Sequence, residues 1–502
     1  MILSGVVTAQ TVILRVDDNS TASNPDGSTW PLAHPTVQGA LLDARDRAIT
    51  QTTTDDVFQI WVAEGTYKPT TSTTDRTASH VLVPGARMYG GFLGNEMSLA
   101  ARAGSQTLTI LSGDIDGNPR KQALDSLHVV RVVGGFTNGT SGSLSGVGAY
   151  RLDGFQIMLG TAIPTGTSTA FADFRGGGML VNDTETPGIE VVVTNCRFQG
   201  CNAAVGGGLC AYFTDMAVSR SLFRGCNATD DGPDGAMPAG TGGAAVFVNC
   251  TRAYVYHSTF TNNTADYGGA LAYVNGPDDR LVNCLVTGNE AFGGGGVLAL
   301  IGSTAMRMDF STIADNRAIA PPVGITPTYT GGGGINVDGR PLAVRSTILW
   351  GNTDTNSGAG AGDKSIAGVG ATAANVTIVN SDVQFDDAGP TPIWFPAVTA
   401  TEFNLDPLFT NPLTGVYTLA ATSPCIDAAD DRILDFILDL GDVLDVNEAN
   451  GTQEHLPVDL SLATAREIDS PTAANVGIDL AVTGPTPIIA DMGAYEAPDS
   501  SN

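Results

Sequence analysis

One short pattern recurs along the middle of this chain, and the repeat limits the fold more than any other feature. In its clearest copy the apolar residue Phe260 is followed by Asn263, then by Gly268 and Gly269, and then by an apolar-rich strand. The first residues of successive copies, here called the anchors, are 25 to 27 or 35 to 37 residues apart. A repeat of this length predicts a solenoid whose coils stack on their neighbours, with insertions in loops on one face. The anchors are Phe198, Phe223, Phe260, Val286, Ile313, Ile348 and Val383.

Three features within each copy favour parallel β-structure. Apolar residues alternate after the glycines, so that one face of each strand would be buried. Asn263, Asn289 and Asn316 each follow an anchor by three residues, where asparagine can adopt a left-handed turn and hydrogen-bond to its copy in the next coil. The glycines allow positive φ and close approach of coils. We therefore predict an all-β fold, a right-handed parallel β-helix with three sheets, whose handedness follows the general rule for parallel crossovers.

The sequence predicts a cap at each end of the solenoid. Residues 35–48 have the pattern of an amphipathic helix, with Val37, Leu41, Leu42 and Ala48 on one side, and such a helix can close the first coil. The first ten residues resemble the end of a signal peptide without its basic region, and an apolar strand is the alternative. The assigned regions are a signal-peptide remnant at 1–10, an N-terminal cap at 11–54, the β-helix at 55–403, and a C-terminal cap with an acidic insertion at 404–502.

The chain is strongly acidic, with 52 Asp and Glu against 24 Lys and Arg and a net charge of −28. Such a surface repels nucleic acids and anionic membranes, so we expect no nucleic-acid partner. No apolar run reaches the ~18 residues of a membrane span. The acidic excess has two interpretations, divalent-cation binding or solubility in a saline habitat, and the sequence leaves both open.

Two acidic segments are candidates for calcium binding. Asp114 and Asp116, followed by Gly117 and Asn118, resemble half of an oxygen-ligand calcium loop. A second group lies in the C-terminal insertion. Neither has the full spacing of an EF-hand, and a solvated acidic turn is the alternative for each. Calcium is the cofactor that these patterns indicate. The second group consists of Asp435, Asp439, Asp442, Asp445, Asn447 and Glu448.

The seven cysteines have no spacing typical of a metal site. Cys201 and Cys226 occupy the asparagine position of two consecutive coils, which would place their Cα atoms about 4.8 Å apart. That distance permits a disulfide, and two stacked free thiols are the alternative. Cys196 and Cys284 lie two residues before an anchor, where a small interior side chain fits. This register is shared with Ser221, Ser258, Ser311 and Ser346.

An apolar stripe is predicted on the outer face of the strands that follow the glycines. Its members are found by counting two and four residues from the last glycine of each cluster. Either a loop or the C-terminal segment covers this stripe, or it docks another subunit or sugar rings. The stripe residues are Tyr212, Phe247, Tyr273, Leu298 and Leu300.

Seven segments spread along the chain carry a resemblance to a known family. They are Asp26–Trp30, Ile60–Tyr67, Met88–Phe92, Leu111–Asp114, Leu152–Phe155, Ser423–Asp427 and Asp491–Glu496. These segments resemble the bacterial secreted and surface parallel β-helix proteins of the pectate-lyase-like superfamily, some with variable C-terminal anchors. The repeat around Phe260 is also similar to that of chlamydial polymorphic outer-membrane adhesins. The resemblance implies a role in surface structure or adhesion, and hence an extracellular or cell-surface location, while the apolar stripe favours a homo-oligomer or surface assembly.

Enzyme motifs of this superfamily are incomplete here. Pectate lyases of this scaffold use Asp-bound calcium with a basic residue, and no coil-aligned Asp trio beside an Arg is evident. Asn352-Thr353-Asp354 and Asp386-Asp387 match two polygalacturonase-like motifs, but the Gly-His-Gly and Arg-Ile-Lys motifs are absent. We therefore predict an exported non-enzymatic structural, filament-forming or adhesive element. A polysaccharide lyase, a glycoside hydrolase and a carbohydrate-binding module are the alternatives.

Overall fold

Consecutive coils of the chain lie in register on one another in a computed structural model. The structure describes residues 11–50, 57–83, 85–102, 108–119, 124–133, 137–138, 142–143, 150–163, 171–182, 189–228, 240–300, 302, 304–321, 329, 331–355, 365–367, 376–384, 404–420, 422–425, 446–447 and 453–454.

Four parallel sheets run along the solenoid, and neighbouring strands in each belong to successive coils. Sheet 1 has eleven strands: Thr11–Val16, Val57–Ala63, Ala86–Phe92, Tyr150–Asp153, Glu190–Thr194, Asp215–Ser219, Arg252–Tyr256, Asp279–Val282, Met306–Asp309, Leu342–Arg345 and Val376–Val379. Sheet 2 has ten: Gly65–Tyr67, Thr109–Ser112, Gln156–Met158, Arg197–Gln199, Leu222–Arg224, Thr259–Thr261, Leu285–Thr287, Thr312–Ala314, Ile348–Trp350 and Asp382–Val383.

Sheets 3 and 4 complete each coil. Sheet 3 has seven two-residue strands: Thr161–Ala162, Asn202–Ala203, Asn227–Ala228, Thr264–Ala265, Glu290–Ala291, Arg317–Ala318 and Thr353–Asp354. Sheet 4 has nine: His80–Leu82, Val130–Val133, Met179–Asn182, Leu209–Tyr212, Ala245–Val248, Leu271–Val274, Val297–Leu300, Ile335–Asp338 and Ile366–Ala367. The parallel β-helix prediction is confirmed, with the short sheet 3 as an addition to the three sheets expected.

The remaining elements are short. The α-helix α1 spans Val37–Thr50, and 3-10 turns occupy Trp30–Leu32, Leu99–Ala101, Phe171–Phe174 and Pro412–Thr414. Three antiparallel strand pairs are Thr137–Asn138 with Gly142–Ser143, Phe409–Asn411 with Val416–Leu419, and Val446–Asn447 with Gln453–Glu454. None of the helices within the described ranges has the length and apolar character needed to cross a membrane.

An apolar column of anchors forms the centre of the solenoid. Phe198, Phe223 and Phe260 pair in register, and their rings stack with centroids 4.4 Å and 5.0 Å apart. All three are fully buried, and burying a phenylalanine contributes about 1.5–3 kcal/mol. The predicted anchor Ile348 is one residue off, because Leu349 pairs with Ile313.

Buried asparagines form the ladder predicted beside this column. Asn263 donates from its side-chain amide to Asn289 at 2.9 Å, and Asn289 donates to Asn316 at 2.9 Å. Asn316 extends the series by donating to Asn352 at 3.0 Å. The left-handed residue precedes each ladder asparagine rather than being the asparagine itself, as at Asn262, where φ is 54°. The ladder links the corners of successive coils in a region without solvent.

A second ladder runs through the corner between sheets 1 and 2. The backbone N–H of Cys196 donates to Ser221 Oγ at 3.2 Å, and that of Ser221 donates to Ser258 Oγ at 3.1 Å. Further along, the N–H of Ser311 donates to Thr347 Oγ1 at 3.3 Å. Thr347, and not the predicted Ser346, holds this position in its coil. Small polar side chains thus satisfy backbone donors that the corner leaves unpaired.

Helix α1 packs its apolar side against the first strands of the solenoid. Val37 and Leu41 are buried in the main core, as predicted, together with Ala40 and Ala44. Leu42 is instead 39% exposed, because it lies on the opposite side of the helix. The strand Thr11–Val16 pairs with Val57–Ala63, so part of the region assigned to the N-terminal cap belongs to sheet 1.

The described part of the C-terminal region, here called the C-terminal segment (404–420 and 422–425), lies along the outer face of sheet 2. Tyr417 packs against Leu285 and Ala314, and its hydroxyl donates to Asp315 Oδ2 at 2.6 Å. The Cys425 thiol donates to Asp382 Oδ2 at 3.3 Å. The described portion of the predicted terminal cap therefore covers the side of the last coils.

Candidate metal centre

Three carboxylates converge where the chain turns from sheet 2 to sheet 4. Asp114 and Asp116 follow the strand Thr109–Ser112, and Asp125 precedes the strand Val130–Val133. One carboxylate oxygen from each lies within 4.8 Å of the other two. The cluster is therefore made by the two ends of one bend.

Close backbone packing shapes this bend. The N–H of Gly113 donates to Met158 O at 2.8 Å in the next coil, and the N–H of Ser126 donates to Gly113 O at 2.8 Å. A Cβ on Gly113 would lie 2.4 Å from Leu159 O, so that only glycine fits. On the other side, Asp116 Oδ1 accepts the N–H of Asn118 at 2.9 Å, which closes a turn typical of aspartate.

Asp125 is the least solvated of the three acids. Its side chain is 0% exposed, and among the described residues neither carboxylate oxygen has a hydrogen-bond partner. Asp114 is 9% exposed, and its Oδ1 likewise has no partner in the described part of the chain. Burial, with the charges of Asp114 and Asp116, raises the pKa of Asp125 to about 7, against smaller opposing effects of Arg76 and Lys68.

Two cationic side chains lie near the cluster without pairing to it. Arg76 donates to the backbone carbonyls of Asp125 at 2.7 Å, Thr161 at 2.9 Å and Ile163 at 3.1 Å, and thereby ties the bend to the next coil. Lys68 Nζ lies 3.9 Å from the position that a Cβ on Gly117 would take. Three converging carboxylates offer hard oxygen ligands, which suit Ca²⁺ or Mg²⁺.

The sequence anticipated only part of this cluster. Asp114 and Asp116 were expected from their spacing, whereas Asp125 was not, because it lies nine residues beyond Asp116 and arrives through the bend. In the second acidic group only the backbone of Asn447 is described, in a two-residue strand. The other members, Asp435, Asp439, Asp442, Asp445 and Glu448, lie outside the described residues, and calcium binding there stays a prediction.

The outward stripe is misassigned in two coils. Strand pairing aligns Ala244 and Ala270 with Gly208, so the third residue of the glycine cluster is alanine in these coils. Counting from the last glycine therefore slipped by one residue, and in a strand such a slip exchanges the two faces. Phe247 and Tyr273 point inward into the main core, with ring centroids 5.1 Å apart.

The other three stripe residues do face outward, but they are not available to solvent. Tyr212 is 5% exposed, Leu298 0% and Leu300 2%. They belong to a second apolar cluster outside sheet 4, which the chain itself buries. The described residues that share this cluster are Leu180, Val205, Cys210, Val246, Val248, Tyr267, Ala272, Val274 and Tyr329.

The seven cysteines are buried thiols, and none of them forms a disulfide with another described residue. Cys201 and Cys226 lie in adjacent coils on the ladder, as predicted, but as stacked thiols and not as a disulfide. The hydrogen bond between the two thiols and their burial raise the pKa of Cys226. The backbone N–H of Cys226 donates to Asn263 Oδ1 at 2.9 Å, so that the pair continues the asparagine ladder.

The polygalacturonase-like match at 352–354 is structural. Asn352 is buried at the end of the asparagine ladder, and its amide donates to Ile313 O at 2.7 Å. Asp354 Oδ2 accepts the backbone N–H of Gly332 at 3.2 Å. Asp386 and Asp387 lie outside the described residues.

Comparison with known proteins adds one distant structural likeness. No protein-family model matches the chain, and no curated protein matches it. The crystal structure of pectate lyase Pel9A is similar to this chain with a TM-score of 0.38 and 13% sequence identity, over 85% of this chain and 93% of the lyase chain.

Proposed function

We propose that this protein is an exported, non-enzymatic β-helix that serves as a rigid structural element of a surface, filament or adhesive assembly. The observation that supports this proposal is the uninterrupted internal ladder. Buried side-chain hydrogen bonds join successive coils from Asn263 to Asn352. In the preceding coils the stacked rings of Phe260, Phe223 and Phe198 continue this in-register stacking.

Such a ladder resists bending because each coil is bonded to the next at several points around its circumference. The ten strands of sheet 2 are separated by nine spacings of about 4.8 Å, which gives a rod about 43 Å long. The acidic composition favours solubility outside the cell and argues against anionic partners. A stiff acidic rod is suited to spacing or display, with other copies of the chain as its expected partners.

Electron microscopy of native particles, together with sedimentation velocity, tests this proposal. We expect filaments, a lattice or discrete oligomers under conditions close to the native ones, and no turnover of acidic polysaccharides with or without calcium. A strictly monomeric protein that releases unsaturated products from such polysaccharides would contradict it. Binding without cleavage on a glycan array would instead identify a carbohydrate-binding module.

A polysaccharide lyase is the second candidate, and one observation favours it. Lys68 lies beside the cluster of Asp114, Asp116 and Asp125, and no ion pair within the described part of the chain engages it. A cation held by carboxylates can neutralise an acidic substrate, and a nearby lysine can accept a proton. In this case Lys68→Ala would abolish product release from an acidic polysaccharide while leaving the protein folded.

A further inference from the structure

We propose that Asp114, Asp116 and Asp125, which lie between the strands Thr109–Ser112 and Val130–Val133, are protein ligands of a calcium-binding site. This inference goes beyond the structural role proposed above and does not depend on it. The three ligands come from a single bend, and their oxygens already lie together.

The state of Asp125 separates this cluster from an ordinary acidic turn. Asp125 is 0% exposed, and within the described ranges neither of its carboxylate oxygens receives a hydrogen bond, which is costly for a buried charge. Asp125 nonetheless points into the cluster, where Asp114 Oδ1 is also buried and accepts no hydrogen bond from a described residue. A bound cation would give both residues the partner that the described part of the chain does not supply.

The spacing of the oxygens suits calcium. Calcium holds its oxygen ligands at about 2.3–2.6 Å, so two ligands on opposite sides of one ion are about 4.6–5.2 Å apart. The three carboxylate oxygens lie within 4.8 Å of one another, which is compatible with one shared ion. Magnesium binds at about 2.0–2.1 Å and usually keeps several waters with one or two carboxylates. A set of three carboxylates therefore favours the larger ion.

The negative charge of the three carboxylates also favours a bound cation. Three carboxylates meet here, and no ion pair with Lys or Arg neutralises any of them among the described residues. Arg76 uses its guanidinium on three backbone carbonyls, and Lys68 lies close without forming an ion pair. A divalent ion would compensate this excess and would hold the two ends of the bend together.

Calcium titration of the full-length chain, first stripped with a chelator, tests the site. We expect calcium to raise the thermal unfolding midpoint of the wild type. In Asp125→Asn the affinity for calcium should fall at least about tenfold, and calorimetry should lose one bound equivalent. The difference between variant and wild type isolates this site from any other on the chain. Asp46→Asn, which changes an exposed acid on helix α1, is the matched control and should bind as the wild type does.

The unfolding midpoint of metal-free Asp125→Asn shows whether Asp125 acts as a metal ligand or only stabilises the fold. Because Asp125 is buried and no described residue pairs with its carboxylate, the neutral asparagine should leave the unfolding midpoint of the metal-free protein unchanged or higher. A lower midpoint with unaltered calcium stoichiometry would overturn the proposal, as would a wild type that binds no calcium at millimolar concentration. Equal losses in Asp46→Asn and Asp125→Asn would also overturn it, and tighter binding of magnesium would overturn the choice of ion.

Discussion

Replacing Asn289 by alanine should remove one step of the internal ladder and destabilise the solenoid strongly. Its Oδ1 accepts the backbone N–H and the side-chain amide of Asn263, both at 2.9 Å. Its amide nitrogen lies 3.0 Å from Phe260 O and 2.9 Å from Asn316 Oδ1. Each of these four buried hydrogen bonds contributes about 1 kcal/mol, and the groups left unpaired add a desolvation cost. We therefore expect a loss of about 3–5 kcal/mol in the free energy of unfolding.

Urea unfolding followed by circular dichroism measures this loss, and hydrogen exchange locates it. The backbone amide of Asn263, which donates to Asn289 Oδ1, should lose protection in Asn289→Ala. Asn227→Ala is the matched control, since Asn227 lies on the short sheet 3 and is only partly buried, and it should cost less than about 0.5 kcal/mol. A loss below about 1 kcal/mol for Asn289→Ala, or equal losses in both variants, would refute the reasoning.

Three further predictions concern the core, the C-terminal segment and the outer cluster. Phe223→Ala should cost about 3–5 kcal/mol in urea unfolding, because it breaks the ring stack, and a loss under 1 kcal/mol would contradict this. Burial raises the pKa of Asp382 to about 7, above its unfolded value of about 4. The contribution of Asp382, which lies beneath the C-terminal segment, to the free energy of unfolding should therefore be present below about pH 4 and be lost as pH rises through about 7. Urea unfolding at pH 5 and pH 8 measures this loss, and an unchanged difference between the two pH values in Asp382→Asn would contradict it. Leu300→Asp should lower stability by more than about 3 kcal/mol, since it buries a charge, and a change in oligomeric state with unchanged stability would contradict this.

The repeat predicted the architecture because the anchors set the register of every sheet. Phe198, Phe223 and Phe260 lie in one interior column, and Asn263 begins the ladder in the position that its spacing indicated. In a solenoid the period alone decides which residues become neighbours in adjacent coils. For this reason a single sequence was enough to predict the fold.

The direction of individual side chains was harder to predict, because a strand alternates every residue. Alanine replaces the third glycine at Ala244 and Ala270, and the resulting slip turned Phe247 and Tyr273 outward in the prediction although they face the core. The same one-residue ambiguity selected Ile348 in place of its neighbour. Counting ten residues from the ladder asparagine gives Tyr273 in one coil and Ala299 in the next, which pair in register, so this count would have avoided the error at Tyr273.

The candidate metal centre was predicted in part because only some of its ligands are close in sequence. Asp114 and Asp116 share a recognisable spacing, whereas Asp125 joins them through the turn of the chain between two sheets. Asp125 is distinguished by burial without a hydrogen-bond partner among the described residues, and this property depends on packing from other coils and leaves no local sequence pattern.

The in-register ladder makes the coil a unit of length. Along the ladder each coil bonds to the one before and the one after it, through the same few side chains. Inserting or deleting one complete coil between Cys201 and Cys226, away from the contacts of Tyr417, would change the reach of the molecule by about 4.8 Å and leave both ends as they are. A gene that duplicates or loses such a segment can therefore adjust how far the protein extends without redesigning its sides.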